Sequence, residues 1–275
     1  MHVRVPLLIR LAALVLVLAG LGPSPALLSR ANAAPVESEI VGGKKVRQGE
    51  DSFMVVIRFS SGSGVFQCSG TLLDPTHVLT AAHCVTDGSA LYTGHVVYYG
   101  SVRFSTARSV AASVATPHPG FDPMRLRNDV AVLKLDAPVS GPNVAFVRLP
   151  VIGSHKYEKA GTEVVASGWG ATSESGGPVN DLREAPLQIV AFNQCKGIWK
   201  MAGLTLGGMH VCAWAANKDT CFGDSGGPLF ARTANEVVQV GITSFGYGCG
   251  TVVPGVYTRL SNQAIGSFIR RMLHQ

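Results

Sequence analysis

Residues 221–228 read Cys-Phe-Gly-Asp-Ser-Gly-Gly-Pro, and among them Ser225 is the residue whose surroundings could turn an ordinary side chain into a reagent. Gly223, Gly226 and Gly227 let the backbone fold tightly there and leave unobstructed N–H groups near the hydroxyl, suited to holding an oxygen that gains negative charge. A serine hydroxyl alone is a poor nucleophile near neutral pH, so this chemistry needs a base and a group that orients the base. The chain offers His83, within Leu79-Thr80-Ala81-Ala82-His83-Cys84, and Asp129, which opens an apolar run over residues 130–135. Each residue alone has a plainer role, as a turn serine, a packed histidine or a strand-entry cap. Together they point to nucleophilic attack on a carbonyl carbon.

The three segments occur in the order His, Asp, Ser. Joined with Ile40-Val41-Gly42-Gly43, Gly168-Trp169-Gly170, Ser244-Phe245-Gly246 and Pro254-Gly255-Val256-Tyr257, they make the chain from residue 40 to about 273 resemble the chymotrypsin-like serine peptidases. The resemblance implies a hydrolase in which Ser225 is the nucleophile, His83 takes and returns its proton, and Asp129 holds the imidazole in one tautomer. It also implies an oxyanion hole made by the backbone N–H groups of Gly223 and Ser225. Asp219, six positions before the nucleophile, would lie at the base of the primary pocket, with Gly246 and Gly255 in its walls. A carboxylate there selects Arg or Lys, which matches trypsin.

Asp224 adjoins the nucleophile, and a buried carboxylate needs a partner. By resemblance that partner is the ammonium freed when the chain is cut between Glu39 and Ile40, so the uncut precursor would be a nearly inactive zymogen. Here the sequence departs from its apparent relatives. Many family precursors carry Lys or Arg before the Ile, whereas this chain has Ala34-Pro35-Val36-Glu37-Ser38-Glu39, which implies a different activating protease or stepwise trimming. Phe222 and Phe245 stand where trypsins usually carry Gln and Trp, a difference that bears on subsites. Residues 88–121 contain no Asp or Glu, so the paired acids that bind calcium in animal trypsins are missing, and no metal or cofactor is implied.

Of the 275 residues, the first 33 have the form of an export signal: Arg4 and Arg10, an apolar run over 11–21, and Ala31-Asn32-Ala33 before a cleavage point. The run is short for a membrane span, which needs about 20 residues, so an N-terminal anchor is disfavoured. Residues 34–39 then form an activation peptide and 40–275 the peptidase domain, secreted to the extracellular space. Six cysteines behind such a signal predict a disulfide set, with fifteen pairings open on counting alone. The resemblance selects Cys68–Cys84, Cys195–Cys212 and Cys221–Cys249. The spacing lacks the paired Cys-x2-Cys of a metal site. Net charge is +6, of which the first 39 residues carry three basic and two acidic side chains, leaving a scattered +5 with no nucleic-acid face.

The elements that must position these residues read as short β-rich runs at 53–59, 96–99, 130–135, 163–166, 187–191, 237–242 and 255–259, separated by Gly, Pro, Ser and Asp. One helix is predicted, from an N-cap at Ser261 with apolar residues at Ala264, Ile265, Phe268, Ile269, Met272 and Leu273. Residues 171–180 read as a mobile surface loop. An all-β fold follows, and the resemblance makes it two six-stranded antiparallel barrels with the site in the cleft between them and a C-terminal α-helix. The expected partners are proteins or peptides with Arg or Lys before the scissile bond, an activating protease and protein inhibitors of proteases. Membrane binding is not expected, and the chain is expected to be a monomer. The competing reading, a catalytically silent homologue that acts as a binding protein, is disfavoured because His83, Asp129, Ser225, Gly223 and Asp224 are all kept.

Overall fold

β-branched and aromatic residues with frequent turn signals fold this chain into two curled antiparallel sheets. The computed structural model describes residues 40–62 and 64–274. The expected export signal and activation peptide lie outside the described residues. No helix among the described residues is long and apolar enough to cross a membrane.

The elements are β1 (Lys44–Lys45), β2 (Met54–Ser61), β3 (Gly64–Asp74), β4 (His77–Thr80), β5 (Thr93–Tyr99), β6 (Arg108–Ala111), β7 (Val114–Pro117) and β8 (Ala131–Lys134) in the first half. The second half holds β9 (Glu163–Gly168), β10 (Arg183–Ile189), α1 (Phe192–Met201), β11 (His210–Trp214), β12 (Pro228–Arg232), β13 (Val237–Phe245), β14 (Gly255–Arg259) and α2 (Gln263–Met272). In the second half the ladder β10-β11-β14-β13-β12-β9 returns on itself through β9–β10 pairing, which closes a six-stranded barrel; β1 adds to its outside along β10.

The first half reads β6-β5-β2-β3-β4-β8-β7, a curled half-barrel of seven strands rather than the expected six. The extra strand arises from a bend. Only Ala112 and Ser113 separate β6 from β7, and there the chain leaves β5 and joins β8. The bend is fixed by Asp136, whose carboxylate accepts the Ser113 amide at 2.8 Å and hydroxyl at 2.7 Å.

Two registers matter for function. Thr80 at the end of β4 faces Ala131 at the start of β8, so the segments that carry His83 and Asp129 emerge side by side. Pro228 at the start of β12 faces Ile242 on β13, which brings Ser225 beside Ser244.

Each half has its own apolar core, around Val55, Ile57, Leu72 and Leu79 in the first and Val164, Leu187, Leu229 and Val240 in the second. A third cluster, with Phe53, Met54, Trp169 and Phe230, joins them, and the Phe53 and Phe230 rings meet edge to face at 5.5 Å. The C-terminal helix α2 follows the second half in sequence, yet Ile265, Phe268 and Ile269 complete the core of the first.

Two expectations about helices need correction. The cap of α2 is Asn262, whose side chain accepts from the Ala264 and Ile265 amides, while Ser261 donates its hydroxyl to Glu158 at 2.5 Å. A second helix, α1, was not anticipated: it starts at Ala191 with no side-chain cap and carries Gly197 in its middle. Replacing Asn262 with Ala removes a two-donor cap and should lower stability by about 1 kcal/mol, read as a reduced urea midpoint at unchanged slope.

Candidate active site

A single 3-10 turn, Ala82–Cys84, follows β4 and carries His83. Cys84 at its end is bonded to Cys68 on β3, so the turn is tied to the strand behind it. Asp129 is fully buried. Its Oδ1 accepts the His83 amide at 2.9 Å, and its Oδ2 lies 2.7 Å from His83 Nδ1 and accepts the Ser244 hydroxyl at 2.5 Å. Thr258 on β14 donates to the Asp129 carbonyl at 2.8 Å. With a carboxylate on Nδ1, the proton of a neutral ring sits there and Nε2 is left as an acceptor. Burial by itself would raise the Asp129 carboxyl, but the imidazole and the donated hydrogen bonds outweigh it and hold the group below the usual carboxylate range. Burial would likewise lower His83, and the Asp129 charge outweighs that and raises it.

The Ser225 turn is seated by close approach. At Gly226, whose φ is +79°, a β-carbon would lie 2.1 Å from Thr80 Oγ1, so only glycine lets this turn reach the strand that leads to His83. Gly226 and Gly227 are therefore more than permissive turn residues. Gly223 has a φ of +97°, and both carbonyls around it are anchored. The Ala171 amide donates to Phe222 O at 2.7 Å, and the Ser69 hydroxyl donates to Gly223 O at 3.0 Å. Because N–H and C=O of one peptide point in opposite directions, the first bond turns the Gly223 N–H away from Ala171 and towards the cleft. The Ser69 amide holds Ser225 O at 2.8 Å, so one residue of β3 grips both residues expected to donate to an oxyanion. His83, Gly223 and Ser225 line one cleft of about 820 Å³.

Asp219 lies beneath this turn, with 7% of its surface exposed. Its oxygens accept the Thr220 amide at 2.9 Å and the Gly250 amide at 3.0 Å. Burial pushes the carboxyl up to about 6, against those two bonds. A β-carbon on Gly255 would meet Tyr257 Oη at 3.3 Å and Asp219 Oδ1 at 3.5 Å, whereas one on Gly246 would meet nothing nearer than 3.7 Å. The Cys221–Cys249 disulfide ties the Asp219 segment to the Gly250 loop. Phe245 is held edge to face on Trp199 of α1 at 5.0 Å, which shows what the unanticipated helix contributes. The third disulfide, Cys195–Cys212, joins that helix to β11.

Asp224 is also fully buried and accepts the Gly170 amide at 2.8 Å and the Cys221 amide at 2.9 Å. Burial raises its carboxyl to about 7, and among the described residues it makes no ion pair. Ile40 is buried too, and the Val41 carbonyl accepts the Asp219 amide at 3.2 Å, so the Ile-Val segment is seated along the stretch that carries both acids.

The structure thus brings His83, Ser225 and Gly223 to one cleft with Asp129 behind His83, and it places Gly255 beside Asp219. Sequence reading missed Ser69, Ala171, Thr80, Ser244 and Thr258. Ser244 and Thr80 had a signal, since both lie in quoted motifs; the others act through contacts between distant parts of the chain.

The chain is similar to known proteins over most of its length. The trypsin family model matches residues 40–265. The chain is 32% identical to trypsin Blo t 3 of Blomia tropicalis, over 89% of this chain and 91% of that protein. It is 36% identical to a trypsin-like protease of Streptomyces glaucescens, over 86% and 83%. It is 32% identical to the venom peptide isomerase heavy chain of Agelenopsis aperta, over 81% and 96%. Human serine protease 56 is 35% identical, and there the match spans only 39% of the longer protein. A carboxylate-oriented histidine beside a glycine-cradled serine, in a two-sheet fold matched over this length, makes the chain a member of the trypsin family and a serine endopeptidase.

Proposed function

We propose that this protein is a secreted endopeptidase, made as a zymogen, that hydrolyses peptide bonds after Arg or Lys through an acyl-enzyme. The observation that carries the specificity is Asp219, a buried carboxylate with two amide donors and, among the described residues, no cation, beside Gly255. A guanidinium or ammonium reaching that carboxylate supplies the missing charge, and for Arg the contact can be bidentate.

In this reading Ser225 Oγ attacks the scissile carbonyl carbon while His83 Nε2 takes the hydroxyl proton. The carbonyl oxygen, now negative, is held by the N–H groups of Gly223 and Ser225. His83 then gives its proton to the departing amine, the C–N bond breaks, and an ester to Ser225 remains. Water attacks that ester by the same route, with His83 as base and then acid. Asp129 keeps Nδ1 protonated and stabilises the charged imidazole.

Activation follows from Asp224. Cutting the Glu39–Ile40 bond frees an ammonium in a segment already seated along residues 217–219, and its pairing with Asp224 would fix the turn that carries Gly223 and Ser225. Glu39 places that cut outside the Arg/Lys preference proposed for the enzyme itself, so a different protease performs it. Three disulfides suit an oxidising, extracellular setting. Protein inhibitors that offer Arg or Lys to the cleft are natural partners, and the working form is a monomer.

Three outcomes test this reading. Peptide amides with Arg or Lys before the bond should exceed those with Phe or Ala by at least 10²-fold in kcat/KM, and Asp219→Ser should lower the Arg value by roughly 10² to 10⁴. Hydrolysis that favours Phe would overturn the pocket assignment.

The second outcome concerns pH. In the uncut chain Asp224 titrates near 7 when folded and in the ordinary carboxylate range when unfolded. The folded state therefore binds the extra proton between those values, and stability falls as pH rises through that window. Urea midpoints of Ser225→Ala protein at pH 5 and 8 should show a larger loss for the uncut chain than for the chain cut at Ile40. Equal losses would count against the pairing.

The third concerns Ser69. Ser69→Ala removes the donor to Gly223 O and should reduce kcat about tenfold, the size of one hydrogen bond near 1.4 kcal/mol. Affinity for a boronate transition-state analogue should fall in parallel, while benzamidine affinity stays constant.

A further inference from the structure

Large apolar side chains left in water are uncommon beside a nucleophile, and here three of them surround one. Val65 is 71% exposed, Phe66 44% and Phe222 60%, and all three line the cleft that holds His83, Gly223 and Ser225. Phe59, Tyr92 and Pro178 complete its walls. Asp219, Gly246 and Gly255 are not part of this lining, so the cleft extends from Ser225 on the side away from the basic-residue pocket. A peptide whose carbonyl sits at Gly223 and Ser225, and whose preceding side chain reaches Asp219, must run its departing segment through this space.

The aromatic wall is pre-arranged. Phe66 lies against Phe59 with centroids 6.0 Å apart and planes at 23°, and buried Phe59 is parallel to Tyr92 at 5.1 Å and 7°. Phe66 is thus backed by rings that are already packed, and a substrate ring can join them without ordering a loose side chain first. Phe222, from the turn that carries the nucleophile, and Pro178, from the loop over residues 171–180, line the same cleft. The charge pattern points the same way: no acid lines the cleft, and apart from His83 and the Tyr92 phenol its one ionisable group is Arg58, whose guanidinium lies over the Phe104 ring at 4.3 Å. A basic residue on the departing side would find no partner and a like charge.

We propose that this cleft selects an apolar residue, aromatic by preference, on the amine side of the scissile bond, with Phe66 as the specificity-determining side chain. The substrate class becomes Arg or Lys followed by an aromatic or large aliphatic residue. The inference rests on the Arg/Lys reading above and deepens it.

The test uses the full chain cut at Ile40 and internally quenched peptides that share Arg before the bond and differ only in the next residue: Phe, Leu, Gly or Lys. An Arg anilide, which has no residue after the bond, runs beside them. Expected is a kcat/KM for Phe at least tenfold above Gly and further above Lys, with the Phe/Gly ratio falling below threefold in Phe66→Ala. Phe222→Ala, altered on the opposite wall, should also lower that ratio, which guards against a fault peculiar to one variant. Rates within twofold across the four peptides, with the anilide cleaved, overturn this inference and leave the Arg/Lys reading standing. An undiminished ratio in both variants overturns it as well. No cleavage of the anilide overturns the Arg/Lys reading, and this inference with it.

Discussion

A carboxylate withdrawn from water must collect its hydrogen bonds from whatever the chain places around it, and Asp129 collects them from both sheets. His83 belongs to the first and Ser244, on β13, to the second, while Thr258 on β14 holds the backbone carbonyl of the same residue. Leaving such a group unpaired costs several kcal/mol, so its satisfaction is a condition on how the two halves sit together. The registers that align Thr80 with Ala131 and Pro228 with Ile242 serve that one buried charge. The catalytic geometry and the inter-sheet packing around Phe53 and Phe230 are in this sense one structural problem.

Three buried acids lie near this site, and they differ in what completes them. Asp129 has its donors and its histidine within the fold and is held ionised. Asp219 and Asp224 have only backbone amides, and burial pushes both upward. On the proposed reading each waits for a cation that arrives from elsewhere, one from a substrate and one from a new chain terminus. The same physics, desolvation of a carboxylate, thus serves orientation in one place, recognition in a second and maturation in a third.

Much of this was legible in the sequence because the chemistry is concentrated in short segments: Ser225 among its glycines, His83 before Cys84, Asp129 at a strand start. The disulfides followed from the resemblance, and β14 matched its apolar run from Gly255 to Arg259. What stayed hidden was nonlocal or weakly marked. Ser69 reaches Gly223 across 154 residues, and nothing in its own neighbourhood announces that contact. Helix α1 lacks a capping side chain and contains a glycine, so neither its start nor its propensity stood out, although Cys195 and Trp199 do share its buried face. At α2 two adjacent residues can both cap, and only the engagement of Ser261 by Glu158 decides for Asn262. The seventh strand of the first sheet exists because Asp136 fixes a bend, which alternation of apolar residues does not encode.

The placement of α2 has a consequence for biogenesis. Its buried face belongs to the hydrophobic core of the half of the molecule made first, so that half has a gap in its interior until α2 is made. On a ribosome, the early sheet is therefore an incomplete shell until Ile265, Phe268 and Ile269 join its core. The core of the first half is closed by an element that follows the whole of the second, so the two halves do not mature in turn.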